Sequence, residues 1–547
     1  MSRLERGARA MEWGVAGAVT LFILALHFNV WTYAGPLWRD EISSLSLATK
    51  PTLHEFWASL TFDPVPALFF AILRLWHSAG WGGTDHELRA LGCLIGIGTI
   101  VAVWCTSWSL KKSPPMWALI LFGLSPVAFV WGDSLRAYGL SCICSIATIG
   151  FLWTLLCPRP RPWHVAATAV AALCSVQALF PNALLLFAAG TSAILIALWR
   201  RWFVSALTIA GIGLAAALSL LPYVPTMRRT QDWSMICRSD IAFSHIASMI
   251  YRAVSVGGRL GTAVWIGLTL ILVGLWLITI VRPTLLELDE AKRNLAFYIG
   301  GTLLVSLFSV LCFFWTVGWT TSIWYYLPLM GSAAVCLDGV SRLLPQRATL
   351  KAANALLVLL AAASLAPVAI QASHVRLTNM DLTAKAVAQS AQADDLVVLD
   401  NFFYSVSFQR YYHGAAPCLP VPGITDASLH RWDLLKNCMK EPAQARAIQS
   451  QIEHTLQSGH KVFVVGFAIR NFADSLPDDL PPAPLSRTGW MVSPYLIRWT
   501  QQVAYIVQAH ATSGHLLQVP CDQPVSEGER VNALYVTGWK PGGIAAK

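Results

Sequence analysis

The sequence predicts an α-helical polytopic membrane protein of about eleven transmembrane helices followed by a C-terminal α/β domain, and three observations carry that expectation. Of the 547 residues, 55% are hydrophobic and only 12% charged, about half the charge of a soluble globular chain. The apolar residues gather into runs near the ~20-residue length that crosses a hydrocarbon core. After about Gln371 this pattern stops and the composition becomes that of a water-soluble domain.

Each span can be placed in turn. Arg3, Arg6 and Arg9 precede an apolar run from about Met11 to Leu37. This run is too long for a secretory leader and lacks a small-residue cleavage site, so it is expected to stay as a first span with a cytoplasmic N-terminus. Spans are expected near 12–34, 88–110, 115–131, 138–157, 163–180 and 183–199. Others are expected near 202–223, 261–281, 296–315, 322–341 and 352–371. Alternate loops then hold Lys111/Lys112, Arg159/Arg161, Arg200/Arg201, Arg282/Lys292/Arg293 and Arg342/Arg347/Lys351, as cytoplasmic loops do. An odd number of spans puts the C-terminal domain outside. The expected layout is a transmembrane part over 1–372 in the cytoplasmic (inner) membrane and a periplasmic domain over 373–547. The net charge of +10 sits largely in these loop clusters, which argues against nucleic acid as a partner.

Two external loops are long. In the first, about 35–87, the run Val65 to Trp76 is too short to span and ends in Arg74, Trp76 and His77, which predicts a helix along the interface. The second, about 224–260, carries Arg228, Arg229, Arg238, Arg252 and Arg259 against the usual scarcity of external cations. In the C-terminal domain, Leu396 to Leu399 and Val462 to Val465 have the composition of buried strands. Glu441 to Ser458 between them has helical spacing, and that alternation predicts an α/β fold. The cysteines show no CxxC or zinc spacing. Cys418 and Cys438 fall in the external domain, where a disulfide is compatible with the compartment.

Three short motifs stand out. Asp40-Glu41 follows the first span, where two adjacent carboxylates need a partner or a task; the bland alternative is that one caps the next helix. Asp63 lies just ahead of the interfacial helix, and its bland role is again an N-cap. In Gly132-Asp133-Ser134-Leu135-Arg136-Ala137-Tyr138, a carboxylate, an arginine and a phenol meet the membrane surface, with an Asp133–Arg136 pair holding a turn as the bland alternative.

The order of these motifs resembles the GT-C glycosyltransferases, most closely the branch of the protein O-mannosyltransferases and the lipid A aminoarabinose transferase. Tyr325-Tyr326-Leu327-Pro328-Leu329 is similar to that branch's Tyr-x-Leu-Pro segment. There are departures. Asp63-Pro64-Val65-Pro66-Ala67-Leu68 stands where the family often has Asp-x-His-Pro-Pro-Leu. The family's frequent cation ahead of Tyr-x-Leu-Pro is missing from Trp319 to Trp324.

The resemblance implies an inverting transferase of hexosyl or pentosyl groups using a polyprenyl-phosphate sugar, with a lipid, glycan or protein as acceptor and membrane lipids as surroundings. Asp40 would be the base, with Glu41 and Asp63 positioning sugar or acceptor. Arg136, Arg228 and Arg229 would contact the phosphate, with Tyr138 and Tyr325 beside it; for Arg228 and Arg229, contact with anionic headgroups is the competing role. No metal is required, although clustered carboxylates leave room for a divalent cation. The rivals are a transporter or flippase of lipid-linked glycans, which should bury charges at mid-membrane and repeat its halves, and a non-enzymatic scaffold whose external domain binds a partner.

Overall fold

The computed structural model describes residues 3–238, 241–281, 288–466, 475–484 and 490–541. The chain forms two compact units. One comprises Met1–Tyr33, Val65–Val224 and Ile241–His374; the other comprises Ala34–Pro64, Pro225–Asp240 and Val375–Lys547.

The first unit is helical. Among the described residues, nine helices are long and apolar enough to cross a membrane. The other two expected spans are not among these nine. Residues 163–180 form the Pro162–Ala178 helix, with its proline in the first turn, where a missing N–H costs nothing. The 115–131 run becomes two π-helical turns, Leu119–Gly123 and Val127–Trp131, interrupted ahead of Pro126, which cannot continue the ladder. Helix ends follow local chemistry. The Thr84 hydroxyl and the Glu87 carboxylate make a capping box at the start of Asp85–Lys111, and Gly318 in the left-handed region (φ 69°) ends Glu290–Val317. Ile323–Leu343 is the most enclosed span, with 83% of its apolar window buried, whereas Gly258–Val281 has 17% buried and presents its side chains outward. Arg282, expected in a basic loop, lies outside the described residues.

The short helix expected within the first long loop is present as Ala67–Ser78. Its N-cap is Pro66 with no side-chain cap, so the bland role foreseen for Asp63 does not hold. The Tyr223 hydroxyl accepts the Ala67 N–H at 3.1 Å and donates to Gln177 Oε1 at 2.8 Å. It thereby satisfies one of the donors that a helix start leaves over.

A buried ion pair also belongs to this unit. Lys111 Nζ lies 2.8 Å from Asp338 Oδ2, and neither side chain is more than 1% exposed. Asp338 also accepts from the Ser107 hydroxyl (2.9 Å) and from the Met116 (3.0 Å) and Trp117 (2.8 Å) backbone N–H groups.

Among the described residues, the second unit is built on a five-stranded sheet of β1 (Leu396–Asp400), β2 (Cys418–Pro420), β3 (Val462–Gly466), β4 (Ser513–Leu516) and β5 (Ala533–Thr537). The strand order is β2-β1-β3-β5-β4. β2, β1 and β3 run parallel, while β5 is antiparallel to both β3 and β4. Leu396, Val398, Val462 and Val464 enter one core, and Val397, Leu399, Phe463 and Val465 enter another on the opposite face. Burial on both faces explains why these strands read as continuous apolar runs rather than alternating ones. The helix foreseen over Glu441 to Ser458 begins as a 3₁₀ turn at Pro442–Ala445 and continues as Arg446–Gln457.

The question left open by the sequence, whether Cys418 and Cys438 form a disulfide, is answered by their positions. Cys438 sits in the first core and Cys418 packs against the second, so the sheet lies between them, and both thiols are free.

The two inserted segments join this sheet-bearing unit through specific bonds. The Leu377 N–H donates to Ala34 O (2.9 Å) and the Tyr411 hydroxyl to Leu37 O (3.1 Å). Thr230 Oγ1 and Trp233 Nε1 both donate to Thr61 O at 3.0 Å. The Trp233 ring stacks on Trp432, with centroids 6.4 Å apart and planes 12° apart.

Candidate active site

The Asp-Glu motif opens the Arg39–Ala48 helix. Trp38 is its extended N-cap, and Glu41 folds back to accept the Trp38 N–H at 3.1 Å. Glu41 is fully buried, and the helix dipole favours its charge there. The capping geometry foreseen as the bland alternative is therefore found for Glu41.

Asp40 is placed differently. Its side chain stays 26% exposed, and Oδ1 lies 3.2 Å from His430 Nε2 and 3.7 Å from Arg39 Nε. His430 Nδ1 is buried with no hydrogen-bond partner among the described residues. The neighbouring Arg431 is anchored firmly: it forms a bidentate pair with Asp433 (2.8 and 2.7 Å), bonds Asp426, and lies 4.9 Å from the Phe62 ring centroid. The His430 ring itself lies 6.3 Å from the Trp432 ring, centroid to centroid.

Arg39 links this cluster to Glu529. Its guanidinium lies over the Trp38 and Phe403 rings at 5.3 and 4.9 Å, and Nη1 donates to Gly528 O at 3.0 Å. The Arg39 N–H donates to Glu529 Oε2 at 3.0 Å, and the Ser407 hydroxyl donates to Oε1. Burial pushes the Glu529 carboxyl up to about 7, against the opposing pull of Arg39 and these hydrogen bonds.

Asp63 belongs to the same unit and is buried in the turn that follows the Leu53–Ser59 helix. Arg228 and Arg229 also belong to it, exposed on the Val224–Ser234 helix that Thr230 and Trp233 tie to Thr61. Nothing in the local sequence marks His430 or Glu529. They lie 390 and 490 positions from the residues they contact.

The helical unit gathers the other expected residues. Arg136 is the extended N-cap of Ala137–Thr154 and is half-buried. Tyr138, two positions on, packs against Tyr325 with ring centroids 5.9 Å apart. Tyr325 in turn lies near-parallel to Phe314 at 6.4 Å, and Trp324 rests on Trp131 at 4.3 Å. The Arg-Ala-Tyr turn and the Tyr-x-Leu-Pro segment thus meet through the two phenols.

The bland reading of Asp133 is replaced. Its carboxylate engages His27 Nδ1, at 2.9 Å from Oδ1 and 2.7 Å from Oδ2, and the other cation facing it is Arg89. Gly96 permits this approach, because a Cβ there would lie 2.2 Å from Asp133 Oδ1 and 2.4 Å from His27 Nδ1. Among the described residues, no three His, Cys, Asp or Glu side chains gather as metal ligands.

No family model and no curated protein matches the sequence. Solved structures with a similar course include ArnT from Cupriavidus metallidurans bound to undecaprenyl phosphate, which is 12% identical with a TM-score of 0.48 over 83% of this chain and 92% of that one. The Archaeoglobus fulgidus oligosaccharyltransferase in its apo form is 10% identical with a TM-score of 0.47, over 84% of this chain and 69% of that one.

Proposed function

We propose that this protein is an inverting glycosyltransferase that moves a sugar from a polyprenyl-phosphate donor to a lipid, glycan or protein acceptor at the outer face of the cytoplasmic membrane. The observation that carries this reading is Asp40: a carboxylate just past the first apolar helix, partly open to solvent and oriented by His430 and Arg39. The motif order that resembles GT-C transferases supports it, as does the packing of Tyr138, two positions after Arg136, against Tyr325. The N-terminus is cytoplasmic and the sheet-bearing unit periplasmic in this reading, which the basic alternate loops support.

The chemistry follows from ordinary acid–base and charge arguments. An acceptor hydroxyl oxygen attacks the anomeric carbon from the face opposite the phosphate, which inverts the centre. The bond from that carbon to the phosphate oxygen breaks, and its electron pair leaves on polyprenyl phosphate. Asp40 takes the hydroxyl proton and later gives it to water. Positive charge spreads over the ring carbon and oxygen in between, and nearby carboxylates stabilise it. Glu41 and Asp63 are assigned to positioning. Arg136, whose planar fork suits a phosphate, is assigned to it together with Tyr138 and Tyr325, and Arg228 and Arg229 are assigned to the same charge. Arginine alone can neutralise a single phosphate, so no metal enters the scheme.

The test uses the purified full chain in lipid nanodiscs with polyprenyl-phosphate sugars and a membrane extract as acceptor source. The proposal expects time-dependent release of free polyprenyl phosphate and transfer of label to an acceptor. Translocation of intact donor in proteoliposomes, with no cleavage, would instead establish the transporter.

A further inference from the structure

Apart from the site described above, the helical unit holds a cavity of about 630 Å³ where the first turns of Arg3–Tyr33 and Ala348–Ser373 meet the end of Asp85–Lys111. That volume lies in the range of ordinary ligand pockets. Five cations line it against two carboxylates, Glu5 and Glu12. One of the five, Lys111, is already matched by Asp338. Arg9, Lys112 and Arg342 are exposed, and Lys351 reaches Glu12 only at 4.0 Å. Lys112 takes a left-handed backbone (φ 55°), uncommon for a side chain of its size, as the C-cap of its helix. Arg342 is tethered by an Nη1–H bond to Lys111 O at 3.3 Å. The cavity therefore carries surplus positive charge on residues fixed to helix ends.

Part of its remaining wall is apolar. Trp13, Leu350 and Leu357 line the same space and are 40%, 47% and 56% exposed. Trp13 packs on Trp104 at 5.7 Å and on Trp108 at 6.0 Å, an aromatic cluster of the kind that marks the headgroup level of a bilayer. A phosphate diester bearing two acyl chains matches this combination, with its charge toward the cations and its chains along the apolar wall. We propose that this cavity binds the headgroup of an anionic glycerophospholipid. The proposal is independent of the glycosyltransferase reading.

The test is binding of short-chain phosphatidylglycerol to the delipidated full chain in neutral detergent, read by native mass spectrometry. Phosphatidylcholine of the same chains and glycerol phosphate serve as comparison ligands. Each cation near such a headgroup is worth about fivefold in affinity, so combining Arg9→Gln, Lys112→Asn and Arg342→Gln should weaken phosphatidylglycerol by about a hundredfold. Arg159→Gln with Arg161→Gln, on another basic loop, should leave it nearly unchanged. Glu5→Gln with Glu12→Gln should tighten binding, which tests the site without removing any cation. Equal binding of phosphatidylcholine, an equal loss in the Arg159/Arg161 variant, glycerol phosphate binding as tightly as the lipid, or unchanged affinity in the Glu5/Glu12 variant would each overturn the proposal.

Discussion

Asp338 and Asp40 are both carboxylates that open or close a helix, and their surroundings differ in kind. Asp338 is fully buried and accepts from an ammonium, a hydroxyl and two backbone N–H groups. Such a charge is held by its hydrogen bonds and has no lone pair to offer a substrate. Asp40 is a quarter exposed and faces a histidine at 3.2 Å and an arginine at 3.7 Å. Its neighbours orient it without enclosing it. The difference separates a carboxylate that holds the fold from one that can exchange a proton.

Breaking the closed pair should have the largest effect on stability. Lys111→Met leaves Asp338 charged and buried without its cation, which costs about 3–5 kcal/mol in comparable sites. Thermal unfolding in detergent should show this, and Lys111→Met combined with Asp338→Asn, which removes the charge and keeps an acceptor oxygen for the Met116 and Trp117 N–H groups, should recover part of the loss. A double variant no better than the single one would mean that the hydrogen bonds to Asp338, not its charge, dominate.

The sheet-bearing unit offers a test through pH. Burial raises the Glu529 carboxyl to about 7, well above the range of an unfolded glutamate. Between those values the folded state binds more protons, so stability is highest at low pH and falls as pH rises toward about 7. The span corresponds to at most about 3 kcal/mol. Glu529→Gln should flatten that part of the curve, and an unchanged slope would place the titration elsewhere.

Arg136→Lys keeps the charge and loses the planar fork. The loss of a charge-assisted hydrogen bond worth about 1.5–3 kcal/mol predicts a tenfold to hundredfold weaker use of donor. Unaltered donor dependence in a folded Arg136→Ala protein would remove this residue from the phosphate. Smallest is the effect expected at His430: His430→Gln, which can still donate to Asp40, should lower kcat less than His430→Ala and leave KM nearly unchanged. A neutral hydrogen bond is worth about 1 kcal/mol. Equal losses in the two variants would show that the imidazole acts by more than orienting Asp40.

The spans were legible because a bilayer crossing requires an apolar run of fixed length, and β1 and β3 because strands buried on both faces carry little but Val, Leu and Phe. The short Ala67–Ser78 helix was legible for the same reason, as an apolar run too short to cross. The pairings were not. His430 meets Asp40 across 390 positions, Glu529 meets Arg39 across 490, and His27 meets Asp133 across 106, and no local spacing encodes such contacts. Two of the buried groups did leave a trace: a histidine within the first span and an aspartate at the end of the apolar 322–341 run are both costly in a membrane without a partner. Lys111 read as a loop cation because a positive-inside pattern cannot distinguish a solvated lysine from one folded inward. The apolar spacing of 115–131 likewise conceals its break, which depends on Pro126 and on how its neighbours pack.

The most direct measurement places Asp40→Asn beside Asp338→Asn, recording donor cleavage and thermal unfolding for each. The amide at position 40 keeps the shape and loses the base, a change that costs about a hundredfold or more where a carboxylate accepts the proton. The account predicts that Asp40→Asn unfolds like the unaltered protein but no longer releases polyprenyl phosphate at a useful rate. Asp338→Asn should unfold at a lower temperature and retain turnover in its folded fraction. Near-normal turnover by Asp40→Asn would contradict the account.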